Sequence, residues 1–246
     1  PFTLLMLDKE SAKVRIKEIV GNFRDNLKQY HLSGYKEAHV RKEFIDKFFI
    51  ALGWDVNNEE GRAEQYKEVI NEDAIKIGGK IKAPDYAFRI GGTRVFFAEA
   101  KKPSVNIKED IEPAFQLRRY AWNSKIPISI LTDFEEFVVY DCRIKPNPKD
   151  SATVGRLFYL NFEEYLEKFD VFWDIFSKDA VLRGSFDKYL ESNKGKRGTS
   201  EVDDEFLKEI ERLREVLAKN IRLMNPSLSI SELNYCVQKT IDRILF

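Results

Sequence analysis

A chain of 246 residues with 43% hydrophobic content and 19 phenylalanines can build a sizeable core, which excludes an intrinsically disordered protein. Lys+Arg and Asp+Glu are both 41, so a uniformly basic nucleic-acid coat is excluded while a local basic patch is not. No apolar run reaches the length of a membrane span and no signal-peptide pattern is present; Cys142 and Cys236, far apart and without a CxxC spacing, fit reduced thiols in a cytoplasmic protein.

In chain order, Ile16, Ile19, Val20, Phe23, Leu27 and Tyr30 recur at helical spacing and predict a helix over 8–31. Val40, Phe44, Ile45, Phe48, Phe49 and Leu52 predict a second over 37–52, stopped by Gly53. "WDV" after it reads as a short strand. Further short strands are expected near 66–70 and 74–77, with Gly78 and Gly79 marking a turn. "DYAFRI" (85–90) and "RVFFAEA" (94–100) flank Gly91-Gly92 and read as a β-hairpin. A helix over 108–124, entered near Asp110 with Pro113 in its first turn, precedes the strands "IPISILT" and "EFVVYDC". "RLFYL" reads as an edge strand, and 163–176 as an aromatic helix. The polar stretch 192–200 reads as a linker between a main domain, 1–191, and a helical part, 201–246. That part carries two amphipathic helices, which cannot bury both apolar stripes alone and need the main domain or a partner. The fold class expected is α/β, a mixed sheet flanked by helices, followed by a C-terminal helical appendage.

The chemistry concentrates at the end of "VFFAEAKKP" (95–103). In a strand, Val95, Phe97, Glu99 and Lys101 share one face, and Phe96, Ala98, Ala100 and Lys102 the other. Taken alone, Glu99 and Lys101 read as an ion pair at a sheet edge, which is common and weak. Asp85 changes that reading. It follows Pro84, and the hairpin brings it near Glu99, where two carboxylates repel unless a cation lies between them. Two carboxylates, the Ala100 backbone carbonyl and waters suit Mg²⁺, with Mn²⁺ as a substitute. Lys101 beside them is placed to hold or activate a water, which is equipment for phosphodiester hydrolysis.

These residues, "PD" at 84–85 and "EAK" at 99–101, resemble the PD-(D/E)XK nuclease pattern. Gln116 and Tyr120 in "QLRRY" resemble the Q-x-x-x-Y element of type I restriction subunits and helicase-associated exonucleases. Glu43 resembles the acidic residue of that superfamily's first helix, implying that it supports the metal site from outside the ligand set or holds a second metal. The phrases "FFAEAKKPSVNI", "AFQLRRYAWNSKIPISILTDFEEFVVYD" and "GSFDKYL" resemble the N-terminal nuclease part of fused type IIG or type IIL restriction–modification enzymes. "ELNYCVQKTIDRILF" resembles the start of the helical connector that leads there into a methyltransferase domain. The resemblance implies a restriction-endonuclease-like fold and Mg²⁺-dependent cleavage of double-stranded DNA. It also implies methyltransferase and target-recognition domains downstream, and a transient dimer for double-strand cutting. Asp85, Glu99, Lys101, Gln116 and Tyr120 would carry catalysis, and Lys102, Lys108, Arg118, Arg119 and Lys125 would meet the DNA backbone.

Other readings stay open: a type I restriction or repair nuclease of the same fold, and a catalytically inactive DNA-binding or assembly module. "MNPSL" lacks the aromatic pair of an N-P-P-Y motif and "IGGK" lacks P-loop spacing, so no S-adenosylmethionine or ATP site is expected in this segment. His31 and His39 are too few for a histidine-based zinc site.

Overall fold

Asp8 caps the first helix, α1 (Lys9–Tyr30), by accepting from the Ser11 amide at 2.9 Å. The computed structural model describes residues 8–32, 34–77, 79–192 and 202–245. The second helix follows the expected span with an internal change of pitch: α2 (Glu37–Val40), a π turn (Arg41–Ile45) and α3 (Asp46–Ala51) run on without a break. Its predicted stripe is buried in full, and the ring of Phe44 stands 5.0 Å from that of Phe23 on α1. "WDV" is not a strand. The indole of Trp54 donates to the Phe176 carbonyl at 2.9 Å, and the Val56 amide turns back onto the Trp54 carbonyl, so no sheet neighbour is engaged.

A 3₁₀ turn (Glu64–Tyr66) leads to β1 (Val69–Asn71), so the strand expected at 66–70 starts late. The small hairpin β2 (Ile75–Ile77) and β3 (Lys80–Lys82) forms a sheet of its own. The predicted larger hairpin is β4 (Tyr86–Ile90) and β5 (Thr93–Ala100), followed by α4 (Ile111–Asn123), β6 (Ile128–Thr132), β7 (Glu136–Asp141) and β8 (Arg156–Asn161). The main sheet is mixed, in the order β1-β4-β5-β6-β7-β8, with β8 at an edge as expected. Only β5 and β6 pair in parallel, and the chain between them, with α4, supplies the crossover that parallel pairing needs.

The stretch 163–176 divides into a 3₁₀ turn (Phe162–Glu164), capped by Asn161, and α5 (Phe169–Phe176); α6 (Lys178–Leu182) and α7 (Ser185–Ser192) follow. One face of the sheet is covered by aromatic residues from these helices and α3. Phe96 stacks on Phe88 at 4.1 Å and meets Phe49, Phe176 and Phe186 edge-on or tilted, while Phe137 meets Phe48 and Phe172. The opposite face takes α4, which packs on β5 and β6.

The expected linker, past Ser192, lies outside the described residues. Beyond it, α8 (Val202–Met224) and α9 (Ile230–Leu245) pair with each other. The need for a supporting surface is met by α9: Val237 and Ile241 are buried, and Tyr235 packs 5.3 Å from Tyr66 beside the β4–β5 turn. Among the described residues, no helix is long and apolar enough to cross a membrane.

Candidate active site

Strand β5 is the mount. It lies inside the sheet between an antiparallel and a parallel neighbour, and every residue from Phe96 to Ala100 is buried. Alternation sends Phe96 into the aromatic layer and Glu99 to the α4 side. The Lys101 amide donates to the Thr132 carbonyl at 3.0 Å, so strand pairing fixes the backbone one residue past the formal end of β5. Across the hairpin, Tyr86 pairs with Ala98, which brings the preceding Asp85 to the same sheet end as Glu99. Asp85 Oδ2 accepts from the Ala100 amide at 2.8 Å. Of Ala100, then, it is the N–H group that engages Asp85.

Four of the expected residues converge on one carboxylate atom or its partner. Glu99 Oε1 accepts from Lys101 Nζ at 2.9 Å and from Gln116 Nε2 at 2.7 Å. Gln116 Nε2 also lies 2.8 Å from the Tyr120 hydroxyl, one turn along α4. Glu99 is 3% exposed, and its second oxygen, Oε2, is buried with no hydrogen-bond partner. A buried carboxylate oxygen left bare costs free energy, and it is a lone-pair donor waiting for a positive group.

Two residues absent from the sequence-based set complete the cluster. Arg41, on the π turn, donates from Nη1 to Asp85 Oδ1 at 3.0 Å and from Nη2 to the Asp85 carbonyl at 3.3 Å, with its guanidinium 4.9 Å above the Tyr86 ring. Glu37, one turn earlier, lies 3.9 Å from Lys101 Nζ. Glu43 faces elsewhere: it accepts from the Tyr35 hydroxyl at 3.0 Å, and Glu37 is the helix carboxylate brought to the cluster. The only sequence signal was an opposite-charge pair at i, i+4, which ordinarily reads as two solvated side chains bracing a helix. Pitch changes of the π kind recur at functional sites.

Electrostatics follow from burial. Desolvation pushes the Glu99 carboxyl up to about 7, the nearby Asp85 charge pushes the same way, and Lys101 opposes both. For Lys101, burial favours the neutral amine, yet the charges of Glu99, Glu37 and Asp85 outweigh it and hold the ammonium above its usual range. Burial, opposed by Lys101, raises Glu37, and burial with the Glu99 charge raises the Tyr120 phenol.

The residues expected at the DNA backbone divide. Arg118 is corrected: it is 1% exposed, pairs with Asp150 Oδ2 at 2.9 Å and bonds the Ile144 carbonyl, so it braces the 143–155 loop and cannot meet a phosphate. Lys125 is exposed just after α4, and Lys102 is half-buried beside the cluster. Lys108 lies over the Tyr159 ring at 4.9 Å, and Arg119 over Phe115 at 5.2 Å.

Among the described residues, no group of three or more His, Cys, Asp or Glu side chains converges as a metal cage. The donor set is two carboxylates, one with a bare buried oxygen. That suits a hard cation which keeps most of its waters, as Mg²⁺ does, and does not suit zinc.

Residues 67–148, which hold Asp85, Glu99, Lys101, Gln116 and Tyr120, match the family model for the type I restriction enzyme R protein N terminus. The chain is 36% identical over 238 residues to the type II restriction enzyme and methyltransferase RM.Eco57I of Escherichia coli. That alignment covers 96% of this chain and 24% of the relative, so the chain spans about a quarter of the relative's length. No solved structure matches it. Both matches support the resemblance to restriction–modification enzymes drawn from the sequence.

Proposed function

We propose that this chain is the PD-(D/E)XK endonuclease segment of a type IIG-like restriction–modification enzyme, hydrolysing phosphodiester bonds of double-stranded DNA. The methyltransferase and target-recognition functions would lie downstream. One observation carries the reading: Asp85, Glu99, Lys101 and Gln116 meet at the tip of a rigid central strand, with Glu99 Oε2 buried and bare. Rigid mounting matters because catalysis of this kind rests on positioning and fixed charge.

Asp85 and Glu99 would hold Mg²⁺, or Mn²⁺ in its place, which supplies positive charge to the scissile phosphate and acidifies the attacking water. Lys101 works as an ammonium. Its raised proton affinity beside Glu99 supports a hydrogen-bonding role towards the water and the phosphate over removal of a proton. Gln116 fixes the Glu99 rotamer through Oε1 and leaves Oε2 without a protein partner, so that this oxygen would be the one to hold the cation, and Tyr120 fixes Gln116 in turn.

The test is cleavage by the full-length protein carrying Asp85→Ala or Lys101→Ala, with melting temperature as the folding control. Both variants are expected to lose cleavage and keep the fold, and Asp85→Ala to lose divalent-cation binding by calorimetry. Cleavage persisting in both sinks the assignment. The match of 67–148 to a type I R-protein model favours a second reading, a type I-like nuclease segment. A motor domain following this segment, in place of a methyltransferase, would select it.

A further inference from the structure

The β2–β3 hairpin is separate from the main sheet and runs directly into Pro84 and Asp85. Its outer strand, Lys80–Lys82, is exposed along its length, and Lys76 is exposed on the inner strand. Lys76 pairs with Ile81 and Lys82 with Ile75, so Lys76 and Ile81 share one face of the ribbon while Lys80 and Lys82 share the other. Ile75 is buried and anchors the ribbon, and β2 lies against α4, the helix carrying Gln116 and Tyr120. Among the described residues, none of the three lysines is in an ion pair. The carboxylate at the root, Asp73, is already taken by Arg89 at 2.8 Å and Arg94 at 2.6 Å. A chain of zero net charge thus places three ammonium groups without an ion pair on the six strand residues of this ribbon, beside its candidate site.

We propose that this hairpin is a DNA arm, in which Lys76, Lys80 and Lys82 neutralise phosphates of the duplex flanking the bond held at Asp85. The proposal rests on the nuclease reading above and adds where the substrate lies. Scale supports it. At about 3.3 Å per residue each three-residue strand of the ribbon is about 10 Å long, close to three base-pair steps of about 3.4 Å. A two-stranded ribbon also fits the major groove in width, and Ile81, 77% exposed, offers an apolar contact there. Lys76 and Ile81 stand on the free face of the ribbon, and Lys80 and Lys82, on the face that Ile75 anchors, remain exposed along the outer strand and open to phosphates at its edge.

The experiment measures binding of the full chain to a short duplex, without divalent metal so that nothing is cut, over a series of salt concentrations. The triple variant Lys76→Gln/Lys80→Gln/Lys82→Gln changes only exposed side chains, and its melting temperature is the folding control. Counterion release predicts a log affinity–log salt slope shallower by about 0.9 for each lost contact, up to about 2.7 in all, with similar weakening on unrelated sequences. An unchanged slope, with or without a change in affinity, overturns the arm, as does a wild-type chain that does not bind duplex DNA. Failure of the nuclease reading is separate: it shows as cleavage surviving Asp85→Ala and Lys101→Ala, whatever the slope of the triple variant.

Discussion

Arg41 grips Asp85 at two points, 3.0 Å from a carboxylate oxygen and 3.3 Å from the carbonyl oxygen of the same residue. With the Ala100 amide on the other carboxylate oxygen, Asp85 is oriented from both sides. Arg41→Ala leaves the Ala100 amide alone to orient Asp85. Loss of such a supporting contact typically costs about 10–100-fold in metal affinity or activity, and a drop in that range is expected here. Arg41→Lys restores a charge without the forked geometry, so it should recover only part. Cleavage rate as a function of Mg²⁺ concentration, with calorimetric cation binding, checks both. Wild-type behaviour in Arg41→Ala would remove Arg41 from the site.

Glu99 gives the metal-free chain a pH dependence of defined sign. Its carboxyl is raised from 4.5 to about 7 by burial and by the Asp85 charge. Between those values the folded chain keeps a proton that the unfolded chain releases. The stability from this group is therefore fully present below about 4.5 and is lost as pH rises through about 7. Denaturation midpoints of wild type minus Glu99→Gln, measured across that window, should fall as pH rises. A flat difference counts against the buried, charge-crowded state of Glu99.

Much of this was legible in the sequence because it rested on periodicity. Alternation along 95–101 placed Glu99 and Lys101 together, the Gly91-Gly92 turn brought Asp85 to them, and i, i+4 spacing put Gln116 and Tyr120 on one face of α4. Arg41 and Glu37 were illegible because their roles depend on a π turn, a change of pitch with no residue signature, and on a long-range approach of helix to sheet. Arg118 misled for the opposite reason. Its neighbours in "QLRRY" suggest a basic patch, but one helix carries adjacent arginines about 100° apart, so Arg118 turns into the 143–155 loop while Arg119 stays half-exposed over Phe115. Trp54 was read as part of a strand because "WDV" is rich in β-formers, while its indole bond to α5 decides its backbone path.

Arg118 accordingly predicts a stability phenotype and no DNA phenotype. Arg118→Ala takes the guanidinium away from the Ile144 carbonyl, leaves Asp150 Oδ2 with the Asn147 amide alone, and opens space under Gly155, where a Cβ would stand 3.4 Å from the guanidinium. The melting temperature should fall by several degrees, while the salt dependence of duplex binding stays as in wild type. A shallower salt slope in this variant would return Arg118 to the DNA-facing set.

The β4–β5 turn couples the hairpin to the C-terminal helices. Gly91 has φ +55°, and a Cβ there would sit 2.5 Å from the Asn234 carbonyl oxygen of α9, a backbone atom that cannot rotate away. Gly91→Ala therefore combines a left-handed backbone penalty of about 1 kcal/mol with a collision that must push α9 off the turn. Gly79 is the matched control: its φ of +82° carries the same kind of penalty, but nothing lies within 4 Å of its Cβ position. Gly91→Ala should speed amide exchange along α9 and expose Val237 and Ile241, while Gly79→Ala should leave α9 protected. Asp85 and Glu99 lie at the other end of the same hairpin, so cation binding should survive in both variants. Equal α9 protection in the two would show that the helix is held by contacts other than this close approach.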